Sequence, residues 1–229
     1  MSEYRYEIKF SLDDANYSRA MQWLFVNTHA TKRFDNRYVN SLYFDNPGYS
    51  AIRDNITGLS ERSKYRLRWY NEGITPNSAI SPRFEVKIRK GRLGRKEITP
   101  LSNFEDNFVL LPLHQIESNI RVELEKAHTP FDDYYTSVLA VKYLREYFED
   151  NAGLRITFDK EIQFSYVDGL TSTLSNCPKL YYRKYIMELK FNIELKDYVS
   201  ELLNSLNMSP TRHSKYLMGL SKFGSILYI

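Results

Sequence analysis

Several short stretches of the chain alternate strictly between ionic and apolar side chains, and this pattern constrains the fold more than any other feature. In KYRLRWY, residues 64–70, the side chains of Lys64, Arg66 and Arg68 fall on one side of an extended chain. The stretch RFEVKIR, residues 83–89, repeats the pattern. Because the side chains of a strand point alternately to its two faces, each stretch is predicted to be a strand with one ionic face and one apolar face.

Three further predicted strands share this property: residues 4–10, 154–159 and 184–191. On the polar faces of the five strands, eleven side chains are Lys or Arg and four are Asp or Glu. The cations are Arg5, Lys9, Lys64, Arg66, Arg68, Arg83, Lys87, Arg89, Arg155, Lys184 and Lys190, and the acids are Glu7, Glu85, Asp159 and Glu188. An additional strand is predicted over residues 39–45.

Two folds agree with these faces. An open antiparallel sheet commonly exposes one polar face to water. The alternative is an α+β fold in which about eight antiparallel strands form a closed or nearly closed tunnel, with a basic lumen inside and helices packed outside. Two like charges about 8 Å apart repel by about 2 kcal/mol at an effective dielectric constant near 20, so a lumen of this kind favours occupation by a polyanion.

Helices are predicted from apolar residues at helical spacing. The first covers residues 13–27, with a capping box formed by Ser11 and Asp14. A second is predicted to end near Glu149, and a third covers residues 195–206. Residues 71–82 are predicted to form the loop of a hairpin, and residues 90–96 a basic turn.

A length of 229 residues without a long spacer predicts one domain over residues 1–229, and the 42% hydrophobic and 15% aromatic residues are ample for a packed core. There is no run of about 18 apolar residues, so we expect no transmembrane segment and a cytoplasmic location. A single cysteine excludes an internal disulfide and a cysteine-rich zinc site. The formal net charge of +4 does not predict a nucleic-acid partner, and the aromatic residues alternate away from the cations, unlike those of single-strand binding platforms.

The succession RYEIKF, VNSLYFD, KYRLRWY, FEVKIRKG, LRITFD, MELKF and SKYLMG resembles the VTC domain over nearly the whole chain. VTC domains belong to the triphosphate tunnel metalloenzymes. The resemblance implies a tunnel fold whose basic interior binds ATP, a triphosphate or a polyphosphate chain. It also implies ATP-dependent synthesis of inorganic polyphosphate with a divalent metal ion, Mn²⁺ or Mg²⁺.

The resemblance also implies site residues. The expected catalytic and phosphate-binding residues are Lys9, Arg66, Arg68, Lys87, Arg155 and Lys215, with Arg5, Arg89, Lys190 and Ser214 as further substrate-binding residues. Glu188 is the expected metal ligand and Glu7 a second one, although both carboxylates could instead pair only with neighbouring Lys and Arg side chains. Of four histidines, none shows metal-ligand spacing, and only His213 lies within a matched motif.

One position departs from the superfamily pattern. The first strand often carries E-x-E-x-K in the superfamily, whereas this chain has R-x-E-x-K, with Arg5 replacing a carboxylate. Replacing this carboxylate by a cation disfavours a hydrolytic site with two metal ions. It agrees better with the members of the superfamily that are polymerases. A triphosphatase and a non-catalytic polyanion-binding module remain as alternatives, and a membrane-protein partner is possible because eukaryotic relatives occur in membrane complexes.

Overall fold

A computed structural model of the protein describes residues 4–71, 80–91, 93–102, 104, 107–167 and 173–225. The strands are β1 (Arg5–Leu12), β2 (Thr31–Asp45), β3 (Glu61–Asn71), β4 (Ile80–Lys90), β5 (Leu93–Pro100), β6 (Thr136–Glu149), β7 (Arg155–Tyr166), β8 (Lys179–Tyr182) and β9 (Tyr185–Phe191). The helices are α1 (Asp14–Asn27), α2 (Ser50–Ile56), α3 (Leu113–Lys126), α4 (Lys196–Asn204) and α5 (Lys215–Lys222).

The strands form one antiparallel sheet that closes on itself. Its order is β6-β2-β3-β4-β5-β1-β9-β7-β8, and β6 also pairs with β7. The pairing of β6 with β7 joins the two ends of the order, so eight strands form a ring and β8 extends beside β7. The structure thus confirms the predicted antiparallel tunnel and excludes the open sheet.

The strand register brings the ionic faces to the inside of the ring. Lys9 on β1 lies opposite Glu188 on β9, which in turn lies opposite Thr157 on β7. On the other side, Lys64 lies opposite Lys87 and Arg66 opposite Glu85. Because side chains alternate along each strand, Arg68, Asp159 and Lys190 point to the same inner face.

Apolar clusters cover the outer face of the ring. One cluster packs α1 and α4 against β1, β7 and β9 through residues such as Trp23, Phe158 and Val199. A second packs α3 against β2, β3 and β4 through residues such as Ile120 and Leu67. The prediction of external helices therefore holds for α1, α3 and α4.

Helix α5 lies in a different position, against the inner face. Its buried residues Tyr216 and Leu220 pack with Tyr43, Val141 and Ile186, which point to the same side of their strands as the ionic residues. The helix therefore occupies part of the tunnel, and its N-terminal end adjoins the ionic interior.

The prediction of a helix that ends near Glu149 is wrong, because this segment is strand β6, Thr136–Glu149. Its apolar residues fit a helical spacing, yet Val138, Leu139 and Val141 are consecutive or near-consecutive buried positions of a strand. Contacts with α3 and with α5 bury both faces of β6 near its start. A strand covered on both faces loses the polar–apolar alternation by which it could be recognised.

Smaller differences between the sequence-based prediction and the structure concern the start of α1 and the turns between strands. Asp13 caps α1 by accepting a hydrogen bond from the backbone N–H of Asn16, whereas Ser11 lies within β1, so the predicted capping box is wrong. In the basic segment 90–96, β4 ends at Lys90, Gly91 lies in a turn and β5 already begins at Leu93, so most of the predicted turn is strand. Most of the predicted hairpin loop, residues 72–79, lies outside the described residues.

Of the helices in the described part of the chain, none combines the length and apolarity that crossing a bilayer requires.

Candidate functional site

A basic cavity lies inside the ring, between the ionic strand faces and the N-terminal end of α5. Ten cationic side chains line it, and among the described lining residues Glu188 is the one carboxylate. The cations are Lys9, Arg62, Lys64, Arg66, Arg68, Lys87, Arg89, Arg145, Lys190 and Lys215. Such an excess of positive charge attracts anions.

Glu85 fixes two of the three guanidinium groups of β3, those of Arg66 and Arg68. Its fully buried carboxylate accepts hydrogen bonds from Arg66, with Nε at 2.9 Å, and lies 3.7 Å from Arg68 Nη1. Arg83 and Lys96 also contact it, at 3.0 and 3.3 Å. Burial alone would raise the pKa of Glu85, but the positive charges, led by Arg66, hold it far below the ordinary value. Glu85 is therefore ionised and holds the arginines in place before any ligand arrives.

A second charged group joins β6, β7 and α5. Arg145 binds Asp159 with both ends of its guanidinium, at 2.5 Å from Nε and 2.7 Å from Nη2. Lys215 at the start of α5 also donates to the Asp159 carboxylate. Burial opposes ionisation, but Arg145 and Lys215 outweigh it and lower the pKa of Asp159 to about 2. This carboxylate thus anchors two cavity cations and the helix end.

Glu7 and Glu188 share the ammonium group of Lys9, which lies 2.7 Å from Glu7 and 3.4 Å from Glu188. Lys87 contacts Glu7 at 2.7 Å and Lys190 contacts Glu188 at 2.8 Å. Burial would lower the pKa of Lys9, but the two carboxylates raise it above the ordinary value. The same lysines, against the effect of burial, keep the pKa of both carboxyl groups below the usual range.

Lys64 differs from the other lysines because, within the described part of the chain, no carboxylate lies within ion-pair distance of it. Its ammonium donates to Ser214 Oγ at 2.9 Å. Burial, followed by the charges of Lys87 and Lys9, lowers the pKa of Lys64 to about 7. Lys64 is therefore the cation that an incoming anion would stabilise most.

Three tyrosines complete the wall. Tyr43 accepts a hydrogen bond from Arg66 Nη1 at 3.2 Å, and Tyr143 accepts one from Arg68 Nη2 at 3.0 Å. Tyr216 on α5 stacks on Tyr43 with ring centroids 4.9 Å apart. Asp45 at the end of β2 has a local role: its carboxylate accepts hydrogen bonds from the Tyr216 hydroxyl and from the backbone N–H groups of Asn46 and Ala51.

The structure brings together most of the residues expected from sequence. Nine of them line the cavity: Lys9, Arg66, Arg68, Lys87, Arg89, Glu188, Lys190, Ser214 and Lys215. Glu7 lies behind them, in contact with two of the lysines. Arg5 and Arg155 are not among the lining residues described, and the Arg155 side chain is 51% exposed and lies 3.5 Å from Glu149.

Sequence reasoning did not assign Arg145, Tyr143, Arg62 or Lys64 to the site. The alternation had already placed Lys64 on the ionic face of β3, and continuing it by one more alternate position towards the start of the strand would have included Arg62. The alternation Tyr143-x-Arg145 within KYLREYF was also available, but it was attributed to a helix.

A divalent metal ion fits this site through two carboxylates. Among the described residues no group of three or more His, Cys, Asp or Glu side chains could hold a metal ion. Mg²⁺, however, is usually held by one or two protein carboxylates together with substrate phosphates and water. Glu7 and Glu188, which share Lys9, supply two such hard oxygen donors.

Comparison with models of known protein families gives one match that covers most of the chain. The model of the VTC domain matches residues 4–223, which is nearly the whole chain. No curated protein sequence matches.

Solved structures resemble the whole chain in fold at low sequence identity. A protein from Vibrio parahaemolyticus described as a candidate adenylate cyclase is 16% identical, with a TM-score of 0.52 and coverage of 96% of this chain and 99% of that one. A candidate adenylyl cyclase from Hippeastrum, described as having a dominant triphosphatase activity, is 14% identical, with a TM-score of 0.52 and coverage of 98% of both chains. A protein from Pyrococcus horikoshii is 14% identical, with a TM-score of 0.51 and coverage of 96% and 99%.

Proposed function

Because the chain belongs to the VTC domain family, we propose that it transfers phosphoryl groups within the tunnel, and that its main activity is ATP-dependent synthesis of inorganic polyphosphate. The observation that carries this proposal is the cavity itself, where ten cations converge with one lining carboxylate. A linear chain of phosphates is the ligand whose charge density and width suit a narrow basic channel.

The cations hold the reacting phosphates. Arg66 and Arg68 present planar guanidinium groups that can bind two phosphate oxygens at once, and Glu85 fixes both of them. Lys9, Lys87 and Lys215 add charge from three other elements around the same cavity. Charges that are positioned before reaction stabilise the charge that develops on the transferred group without a cost of reorganisation.

Glu188 and Glu7 are the residues that would hold a divalent metal ion, Mn²⁺ or Mg²⁺. When bound, such an ion supplies charge neutralisation on the phosphates of the nucleotide. Lys9, Lys87 and Lys190, which contact these carboxylates, would then be available to the phosphate chain. In this proposal the two carboxylates hold the metal ion and the three lysines hold the phosphate chain.

Polymer synthesis needs little further chemistry from the protein. The attacking oxygen at the end of a phosphate chain is already ionised, so no protein base has to remove a proton. Holding that oxygen in line with the terminal phosphate of ATP is then the main contribution to rate. Arg155, 51% exposed beside Glu149, would act at most at the edge of this site.

A triphosphatase is the second candidate. It is favoured by the fold shared with the Hippeastrum protein, which is described as having a dominant triphosphatase activity. Hydrolysis requires an oriented water molecule in place of the attacking phosphate. A polyanion-binding module without activity is the third candidate.

The deciding experiment incubates the purified protein with ATP and either Mn²⁺ or Mg²⁺ and analyses the products. Polyphosphate chains with ADP support the polymerase, ADP with orthophosphate and no polyphosphate supports the triphosphatase, and binding of tripolyphosphate without turnover supports the module. Arg66→Ala and Lys215→Ala should abolish either activity. Lys126→Ala removes one charge from the exposed side of α3 and is the matched control, with activity expected to equal that of the wild type.

A further inference from the structure

His213 is the buried histidine of this chain, since the other three, His29, His114 and His128, are exposed. Its residue is 9% exposed, and it lines the tunnel cavity immediately before Ser214. Its backbone carbonyl accepts a hydrogen bond from Lys9 Nζ at 3.2 Å. The backbone of His213 is thus held at the wall of the cavity by one of the cations expected to bind phosphate.

The imidazole ring has no hydrogen-bond partner in the described part of the chain, either at Nδ1 or at Nε2. The nearest aromatic neighbour, Tyr182, has its ring centroid 5.7 Å away, in a tilted contact. A buried donor or acceptor without a partner is costly, and nearly all buried polar groups in native proteins have one. An unsatisfied ring at a cavity wall therefore points to a partner that enters the cavity.

The charges around the ring indicate the sign of this partner. Lys9 and Lys215 are the nearest cations, while Asp159 and Glu188 are the nearest carboxylates and are already paired with cations. Burial, followed by Lys215 and Lys9, lowers the pKa of His213 to about 3. The ring is therefore neutral at pH 7 and carries one N–H donor. A cation would be repelled by the two ammonium groups, whereas an anion would be attracted by both.

We propose that His213 donates a ring N–H to a phosphate oxygen of the chain bound in the tunnel. The inference rests on the proposed function and adds a residue to the phosphate-binding set that lies between Lys9 and Lys215. The bound phosphate would accept the hydrogen bond of the ring N–H, and its charge would offset the two ammonium groups that, together with burial, keep the imidazole neutral.

A spectroscopic experiment tests this contact without changing His213. Replacing the exposed residues, as His29→Gln, His114→Gln and His128→Asn, leaves His213 as the one histidine. The ¹⁵N shifts of its ring are recorded across pH 5–8, without ligand and with saturating inorganic tripolyphosphate. We expect one ring N–H to become protected and its nitrogen shift to move when tripolyphosphate binds. An unchanged ring spectrum in a protein that binds tripolyphosphate would overturn the proposal and leave the proposed function intact.

Binding measurements with variants give an independent test. His213→Leu should weaken tripolyphosphate binding about tenfold, because a hydrogen bond to a charged group is lost. Either His213→Asn or His213→Gln, whose amide N–H groups reach different ring positions, should bind within about threefold of the wild type. Equal affinity of His213→Leu and wild type would overturn the proposal. Absence of tripolyphosphate binding by the wild type would instead overturn the proposed function on which it rests.

Discussion

Lys64 illustrates how much a single residue of this tunnel depends on its neighbours. It lies on the same strand face as Arg66 and Arg68, yet those two share the Glu85 carboxylate and Lys64 contacts Ser214 instead. A buried ammonium group without a counter-ion loses its proton more easily than one in water. The difference between paired and unpaired cations on one strand should be measurable as a dependence of binding on pH.

We predict that tripolyphosphate binding takes up protons above pH 7. In the empty tunnel the pKa is about 7 for Lys64 and about 8 for Lys87, both lowered first by burial. A bound polyanion favours the charged lysines, so affinity should fall as pH rises from 7 to 9. Calorimetry at pH 8.5 in two buffers of different ionisation enthalpy measures the uptake. Lys64→Arg keeps its charge and should reduce the uptake, and equal heats in both buffers for the wild type would contradict the prediction.

Glu85 should be one of the residues whose charge matters most for folding. It is fully buried and contacts four cations, so Glu85→Gln leaves several buried charges without their counter-ion. We expect the free energy of unfolding to fall by about 3 kcal/mol or more, as for other broken buried ion pairs. Glu97→Gln, at a half-exposed carboxylate beside Arg95, should cost no more than about 1 kcal/mol. Urea denaturation at pH 7 compares the two, and similar losses would refute the assignment.

At the scale of elements, α5 connects the apolar packing of the ring to its ionic interior. Ser214 caps the helix by accepting the backbone N–H of Leu217, and Lys215 is bound by Asp159. On the other side, Gly219 faces Leu139 and Phe164 so closely that a Cβ atom would lie 2.5 Å from Leu139 Cδ2. The packing of α5 on β6 and β7 therefore sets the positions of the Ser214 and Lys215 side chains in the cavity.

Gly219→Ala tests this coupling. The added methyl group should displace α5, reduce the free energy of unfolding by about 1–3 kcal/mol and weaken tripolyphosphate binding through Ser214 and Lys215. The greater helix propensity of Ala offsets part of the cost, about 1 kcal/mol. The second substitution Leu139→Ala should restore binding in the double variant by making room. Gly48→Ala, where the nearest atom is 3.5 Å away on a flexible Arg53 side chain, is the control. Unchanged affinity in Gly219→Ala would show that the helix position is irrelevant to the site.

At the scale of the whole molecule, closure of the ring concentrates charge that the chain as a whole does not have. The formal net charge is +4 over 229 residues, whereas ten cations line one cavity. Like charges in a site of low effective dielectric repel, and the four inner carboxylates compensate only part of that repulsion. The empty fold should therefore be less stable than the filled one, and sensitive to salt.

Thermal unfolding gives the corresponding prediction. Tripolyphosphate at about 100 times its Kd should stabilise the protein by about 2.7 kcal/mol, which corresponds to a rise in Tm of roughly 5–10 °C for a domain of this size. The rise should shrink as NaCl increases from 50 to 500 mM, because screening weakens the attraction. The Lys215→Ala variant should show a smaller rise. A ligand-induced shift that does not depend on salt would argue against an electrostatic site.

The sequence alone determined the ionic faces and the architecture that follows from them. Alternation is a local property, so Lys64, Arg66 and Arg68 had to share one side of β3 wherever that strand lay. Through seven short motifs in order, the resemblance also identified the family that the comparison confirms. The site residues named from it stay predictions, although nine of the twelve line one cavity.

Tertiary structure alone decided the rest. Whether β6 is a strand depended on cover from α3 and α5 on its two faces, which removed the alternation and hid Arg145 from sequence reasoning. Arg155 has the expected strand face but is the first residue of β7, where it is half-exposed beside Glu149. His213 is in an irregular segment whose orientation depends on Lys9 and α5, elements about 200 residues apart in the chain. Periodicity reports the direction of a side chain within its own strand, whereas burial, pairing and charge are set by segments that become neighbours only when the ring closes.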